Sequence, residues 1–245
     1  MKALLKQARS LQQKKARDQH GSFLVQGVKV VRELLASGWD VEAVLATPEA
    51  ALQLDLPRAT LVPPAELARV GTLESGNEVV AIARKPAPAA VQDLVPGELV
   101  LALDGISDPG NLGTVLRIAD WFGIRRVWCS PGSVDAYNPK CVQASMGAIF
   151  RVRVDQVDLP QLLALQQQRG ATLYFASMEG QSVFRQHLVR PAVLVLGSES
   201  HGLSAAVRCL PGKLVSVPGG GGSESLNVAV AAAALCMEFT RQGLS

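Results

Sequence analysis

Five polar residues, Asn111, Arg117, Glu199, Ser225 and Asn227, lie on or just after glycine-rich turns in three distant segments: LDGISDPGNLGTVLRIADWFGI (103–124), VLGSESHGLS (195–204) and VSVPGGGGSESLNVAVA (215–231). They form a polar set on turns where packing alone would rarely demand one, and their types are complementary. Amides donate and accept, a carboxylate only accepts, a hydroxyl does either, and a guanidinium stays protonated and steadies developing negative charge. Each segment runs from an apolar stretch through glycine into a helix-like stretch, which brings backbone amides close to a ligand. Spacing excludes two nucleotide loops. The run Gly219–Gly222 is not followed by the Lys-Ser/Thr of a phosphate-cradling loop, and neither LDGISDPGNLG nor GSESHG supplies the GxGxxG of a dinucleotide fingerprint. The turns therefore favour a ligand gripped by backbone.

Other chemistries lack their parts. Cys129, Cys141, Cys209 and Cys236 are irregularly spaced without a CxxC pair and read as structural; His20, His187 and His201 are scattered. No zinc cluster or histidine-activated nucleophile can be built from neighbours, and no metal is expected. His201 lies inside a motif and is read as turn-stabilising or solvent-facing. A chain of 245 residues at 48% hydrophobic content can bury a full core. No apolar run reaches the roughly 18 residues of a membrane span, and the N-terminus does not resemble a signal peptide, so a cytoplasmic protein without a membrane partner is expected. The net charge of +3 is unevenly spread: residues 1–35 hold eight Lys/Arg against Asp18 and Glu33, a net +6, leaving −3 elsewhere. A basic arm on a slightly acidic body points to a polyanionic partner whose affinity falls with salt.

The elements that must position these residues follow from hydrophobic patterning. From Gly21 to about Ala83, strand-like FLVQG, VEAVLATPE, TLVPP and EVVAIAR alternate with helical VKVVRELLAS and AELARV, giving a small α/β domain over residues 1–85. KPAPAAVQDLVPG carries three prolines and no pattern and reads as a linker, 86–97. In 98–245, apolar runs at 99–104, 126–130, 151–154, 172–177, 192–197 and 213–217 alternate with helices near 111–122, 138–149, 159–169 and 226–242. That rhythm specifies a mostly parallel sheet covered on both faces, whose ligands bind at the carboxyl ends of the strands.

DPGNLGTVLRIAD, GSESHGLS and VPGGGGSESLNVAVA resemble, in order and approximate spacing, the three signature motifs of the SpoU/TrmH family of RNA ribose 2′-O-methyltransferases, within the SPOUT superfamily. NPKCVQASMGA (138–148) resembles the family's NPK element, and FLVQGVKVVRELLASGW (23–39) the start of its RNA-binding domain. The resemblance implies an α/β catalytic domain whose mostly parallel sheet is trefoil-knotted, and a smaller N-terminal α/β domain resembling a ribosomal-protein fold. It implies S-adenosylmethionine as cofactor and a structured RNA as substrate, ribosomal RNA before transfer RNA, with no role for DNA. A homodimer through the knotted domain is implied as well.

By motif position the resemblance implies cofactor contacts at Gly197, Ser198, Val217, Pro218 and Leu226. Arg117 becomes the central catalytic residue, expected to bind the acceptor phosphate and stabilise the 2′-oxyanion. Asn111 is expected to orient Arg117 or the loop, or to cap its helix; Glu199 to hold motif amides or the Arg117 head; Ser225 and Asn227 to cap the last helix while facing cofactor and acceptor. Lys14, Lys15, Arg17 and Lys140 are the expected RNA-binding cations. Two positions depart from the family pattern: Gly219 stands where a bulky residue is usual, and Gln143 where an arginine is common. A non-catalytic RNA-binding protein on the same fold, or a base-methylating enzyme of the superfamily, are the alternatives.

Overall fold

The computed structural model describes residues 1–71, 77–87, 90–222 and 224–243. Residues 88 and 89, inside the expected linker, lie outside these. The chain forms two compact units, Met1–Pro88 with Asp135–Arg151, and Ala89–Val134 with Val152–Ser245. The first part of the chain runs α1 (Lys2–Ser10), α2 (Lys14–His20), β1 (Ser22–Gln26), α3 (Val28–Ala36), β2 (Val41–Ala46), α4 (Pro48–Gln53), β3 (Thr60–Leu61), α5 (Pro64–Leu67) and β4 (Val79–Arg84). It continues through β5 (Leu99–Asp104), α6 (Pro109–Trp121), β6 (Arg126–Cys129), α7 (Pro139–Ser145), β7 (Arg153–Gln156), α8 (Leu159–Gln168), β8 (Thr172–Ser182), β9 (Ala192–Gly197), α9 (Ala205–Arg208), β10 (Lys213–Ser216) and α10 (Val228–Gly243).

In the second unit six strands lie in the order β10-β8-β9-β5-β6-β7, every pairing parallel. The expected parallel sheet is present. LVLALD and AVLVL are continuous apolar runs because β5 and β9, in the middle, are buried on both faces. On one face Val100, Ala102, Trp128, Val193 and Val195 pack with Leu159 and Leu163 of α8 and Val207 of α9. Val91 and Leu94, from the expected linker, join that core, and Arg126 donates to the carbonyls of Gln92 and Asp93. Elsewhere in this unit α6 and α10 pack against each other. The strand expected at 151–154 starts two residues later, because Ala148–Phe150 form a 3-10 turn and Arg153 is the first residue to pair, opposite Arg126. The helix expected over 138–149 ends at Ser145, where Met146 and Gly147 both take left-handed backbone, φ 51° and 90°.

In the first unit the sheet order is β1-β4-β2-β3, with β4 antiparallel to both neighbours and β2 parallel to β3. Leu5, Ala8 and Leu11 of the α1 region meet Leu24, Leu45, Leu67 and Ile82 on one side. Successive strand residues point to opposite faces, so Phe23 looks the other way. There it meets Tyr137 at 4.8 Å between ring centroids, while Trp39 stacks edge-on against Phe150 at 5.5 Å and donates its indole N–H to the Phe150 carbonyl. Residues 135–151 thus complete the core of the N-terminal unit.

Arg17 anchors that segment. Only 2% exposed, its guanidinium pairs with Asp135 at 2.7 Å and donates to the carbonyls of Leu11 and Gln12 at 2.9 and 2.8 Å. All four cysteines are free; Cys129, Cys141 and Cys236 are buried and Cys209 is exposed. Burial pushes the Cys129 and Cys236 thiols up to about 12, which keeps them protonated and inert. Arg17→Ala leaves Asp135 without its cation and two carbonyls without donors, so it is expected to cost about 3 kcal/mol in urea denaturation; a change below about 0.5 kcal/mol would mark Arg17 as a surface cation.

Candidate active site

Carboxyl ends of β8, β9 and β10 open around a cavity of about 530 Å³, the place where parallel sheets bind ligands. A register jump creates part of it. Leu214 pairs with Phe175 but the next residue, Val215, pairs with Gln181, so residues 176–180 leave the ladder and Ala176, Ser177, Met178 and Glu179 line the cavity. Gly180 lets the chain rejoin, since a Cβ there would stand 2.6 Å from the Val215 backbone nitrogen. The opposite wall is the GSESHG turn. Ser198 and Gly202 exchange two backbone hydrogen bonds of 2.9 Å, with Gly202 at φ 66°, and a Cβ on Gly197 would lie 2.3 Å from the Gly202 carbonyl carbon. Glycine at 197 therefore lets the turn fold back on the end of β9, and on the cavity side the residue offers only main chain. Asp104, the last residue of β5 and 7% exposed, fastens the turn by accepting from the Ser204 amide at 2.7 Å.

A relay of side chains joins the three glycine-rich segments. Glu199 Oε1 accepts from Asn111 Nδ2 at 2.6 Å, Asn111 Oδ1 accepts from Asn227 Nδ2 at 3.0 Å, and Asn227 Oδ1 accepts from the Ala229 amide at 2.9 Å. A carboxylate only accepts, which orients Asn111; the amide N–H at the start of α10 only donates, which orients Asn227. Asn111 was expected to orient Arg117 or the loop, or to cap its helix. Instead α6 begins at Pro109 and Asp108 caps it, accepting from the Asn111 amide at 2.9 Å, which frees the Asn111 side chain for the relay. Asn227 caps α10 as expected, whereas Ser225 lines the cavity.

Of the expected cofactor residues, Gly197, Ser198, Val217 and Leu226 line the cavity and Pro218 does not. Glu199 lines it too, and its side chain meets Asn111 rather than Arg117. Arg117 is exposed on α6 and makes no hydrogen bond or ion pair with a described residue, Asp120 included. Six residues of helix set it roughly 9 Å along the axis from Asn111 and about 120° around it. Lys14, ion-paired with Asp18 at 2.8 Å, Lys15 and Lys140 are exposed. Arg17 is the correction: expected to face RNA, it is the buried partner of Asp135, a residue 118 positions away. At Gln143 the amide oxygen is buried without a hydrogen-bond partner among the described residues. Met178, Glu179, Arg208, Leu214 and Asp104 were missed; the lone carboxylate ending the apolar run LVLALD was the one available signal.

Over residues 98–237 the sequence matches the SpoU rRNA Methylase family. The chain belongs to that family. Residues 2–87 match the MRM3-like substrate binding domain. Among solved structures, the fold is similar to a TrmH-family protein from Porphyromonas gingivalis, 37% identical with a TM-score of 0.87 over 97% of each chain. It is also similar to the SpoU methyltransferase AviRb from Streptomyces viridochromogenes in complex with AdoMet, 30% identical with a TM-score of 0.87 over 99% of this chain and 98% of that one. The 23S rRNA (guanosine(2553)-2′-O)-methyltransferase RlmP of Bacillus subtilis is 29% identical over 94% of this chain and 93% of its own. For this SpoU-family member the close approach at Gly197 is decisive: Gly197→Ala drives a methyl group into backbone and is expected to destabilise by about 2 kcal/mol in thermal unfolding, whereas an unchanged melting temperature would show that the turn yields freely.

Proposed function

We propose that this protein transfers a methyl group from S-adenosylmethionine to a ribose 2′-hydroxyl of ribosomal RNA. The relay Glu199–Asn111–Asn227 at the mouth of a backbone-lined cavity is the observation that carries this reading. The cavity fits such a cofactor. Leu196, Leu203, Leu214 and Leu235 offer apolar wall, Glu179 and Glu199 are carboxylates suited to a cationic ligand, Arg208 suits a carboxylate, and Gly197 presents main chain. Gly197, Ser198, Val217 and Leu226, which line the cavity, would hold it. When bound, it supplies an electrophilic methyl on a positively charged sulfur.

The protein's task is then alignment and charge. Asn111, Glu199 and Asn227 hold three loops in one arrangement, so the acceptor oxygen meets a preorganised site, the source of most of the rate in a two-substrate displacement. Arg117 binds the acceptor phosphate and steadies the 2′-oxyanion; a guanidinium keeps its proton, so it acts as an electrostatic partner. Ser225, on the cavity wall, faces cofactor and acceptor. Residues 1–85, together with the 135–151 segment that completes their unit, bind the RNA, Lys14, Lys15 and Lys140 contributing phosphate contacts, and the rest of 98–245 forms a trefoil-knotted catalytic domain against which Val91 and Leu94 of the connecting segment pack; likeness to SpoU structures supports the knot. The protein acts in the cytoplasm.

Arg117 reaches a complete site in a homodimer. On α6, Thr114, Arg117 and Trp121 form one exposed stripe, and Val230 and Met237 are exposed on the adjoining α10. Trp121 is 84% exposed, which suits a second copy of this surface better than water. With labelled S-adenosylmethionine and unmodified ribosomal RNA, the wild type is expected to label RNA, and Arg117→Ala to lose at least about a hundredfold in rate with its melting temperature kept; RNA bound without label would refute the activity. Trp121→Glu is expected to elute as a monomer in size-exclusion chromatography with activity lost, and a dimeric Trp121→Glu protein would remove this face from the interface.

A further inference from the structure

One surface of the N-terminal unit is built jointly by α3 and the 139–151 segment. Both α3 and α7 pack on β1. Gly147, at φ 90°, sits so close to α3 that a Cβ on it would lie 2.8 Å from Glu33 Cβ and Cγ, and Arg151 pairs with the Glu33 carboxylate. That ion pair neutralises the only acid of α3. Lys29 and Arg32, exposed at i and i+3, remain without an ion pair or hydrogen bond among the described residues, and Lys140 is exposed on α7. Beside them the chain holds Met146 in a left-handed conformation, φ 51° and ψ 37°, with its side chain 38% exposed. Glycine or asparagine is the ordinary residue at such a helix end. A thioether side chain kept there, strained and half in water, is the kind of outlier found at functional contacts.

We propose that this α3/α7 face docks the single-stranded part of the RNA substrate, Lys29, Arg32 and Lys140 on phosphates and Met146 against an unstacked base. The inference rests on the RNA reading above and deepens it, placing two cations of the basic segment 1–35, Lys29 and Arg32, on one face with residues of the 139–151 segment. Charge complementarity commits it to a polyanion. The exposed thioether side chain of Met146 commits it to RNA with splayed bases, because duplex RNA offers phosphates and sugar hydroxyls and hides its base faces.

The test measures binding of the full-length protein to protein-free large-subunit ribosomal RNA transcribed in vitro, across a salt series, beside a perfect duplex RNA of equal charge. Lys29→Ala/Arg32→Ala is expected to bind about tenfold more weakly near 0.1 M salt and to lose about 2 from the salt slope. Met146→Gly is expected to keep or raise the melting temperature, because glycine takes this backbone freely, while binding ribosomal RNA at least about threefold more weakly and the duplex unchanged. Cofactor affinity, measured by calorimetry, stays at the wild-type value in both. Wild-type affinity and salt slope in both variants, or equal loss on the duplex, would overturn this face while leaving methyl transfer intact. A wild type that neither binds nor methylates RNA would overturn the parent reading instead.

Discussion

The Asn111 side chain carries two hydrogen bonds on which the site depends, one to Glu199 and one to Asn227. Each partner comes from a different glycine-rich segment, 88 and 116 residues away. Each such bond contributes only about 1 kcal/mol net, so the relay does not fold the protein. Its effect is geometric: it selects one arrangement of three loops that would otherwise move independently, at the end of the sheet where a ligand is gripped. A packed parallel sheet of buried apolar strands supplies the rigidity that the loops lack.

Glycine is used here for closeness as much as for conformational freedom. At Gly197 and Gly180 the neighbouring backbone is nearer than any Cβ allows. These two positions bound the two walls of the cavity, one in the GSESHG turn and one where β8 rejoins β10 after its excursion. Both close approaches let backbone pack on backbone beside the cavity, while Asp104 ties the end of β5 to the turn that follows β9. Chemistry of this kind needs little from individual side chains beyond charge and orientation.

Much of this was legible in sequence, and the failures share a cause. Continuous apolar runs marked β5 and β9 because burial on both faces leaves no polar period to read, and the three turns announced themselves by glycine. Arg17 looked like one more cation of a basic arm; its burial depends on Asp135, far along the chain, and no local pattern reports such a partner. The grouping of 135–151 with the N-terminal unit was hidden for the same reason. Met178 and Glu179 reach the cavity through a register jump between β8 and β10, which a run such as TLYFAS does not encode. The alternative that Asn111 caps α6 fails because Asp108, three residues earlier, takes that place; both are good caps and only the observed bond separates them.

The central claim, that distant loops converge to steady a sugar oxygen while it accepts a methyl group, is tested most directly by locating the methyl. Ribosomal RNA incubated with the protein and isotopically labelled S-adenosylmethionine is digested to nucleosides and analysed by mass spectrometry. The account predicts the label in a 2′-O-methylated nucleoside, with the mass increase on the ribose fragment. Label on a base fragment would contradict it.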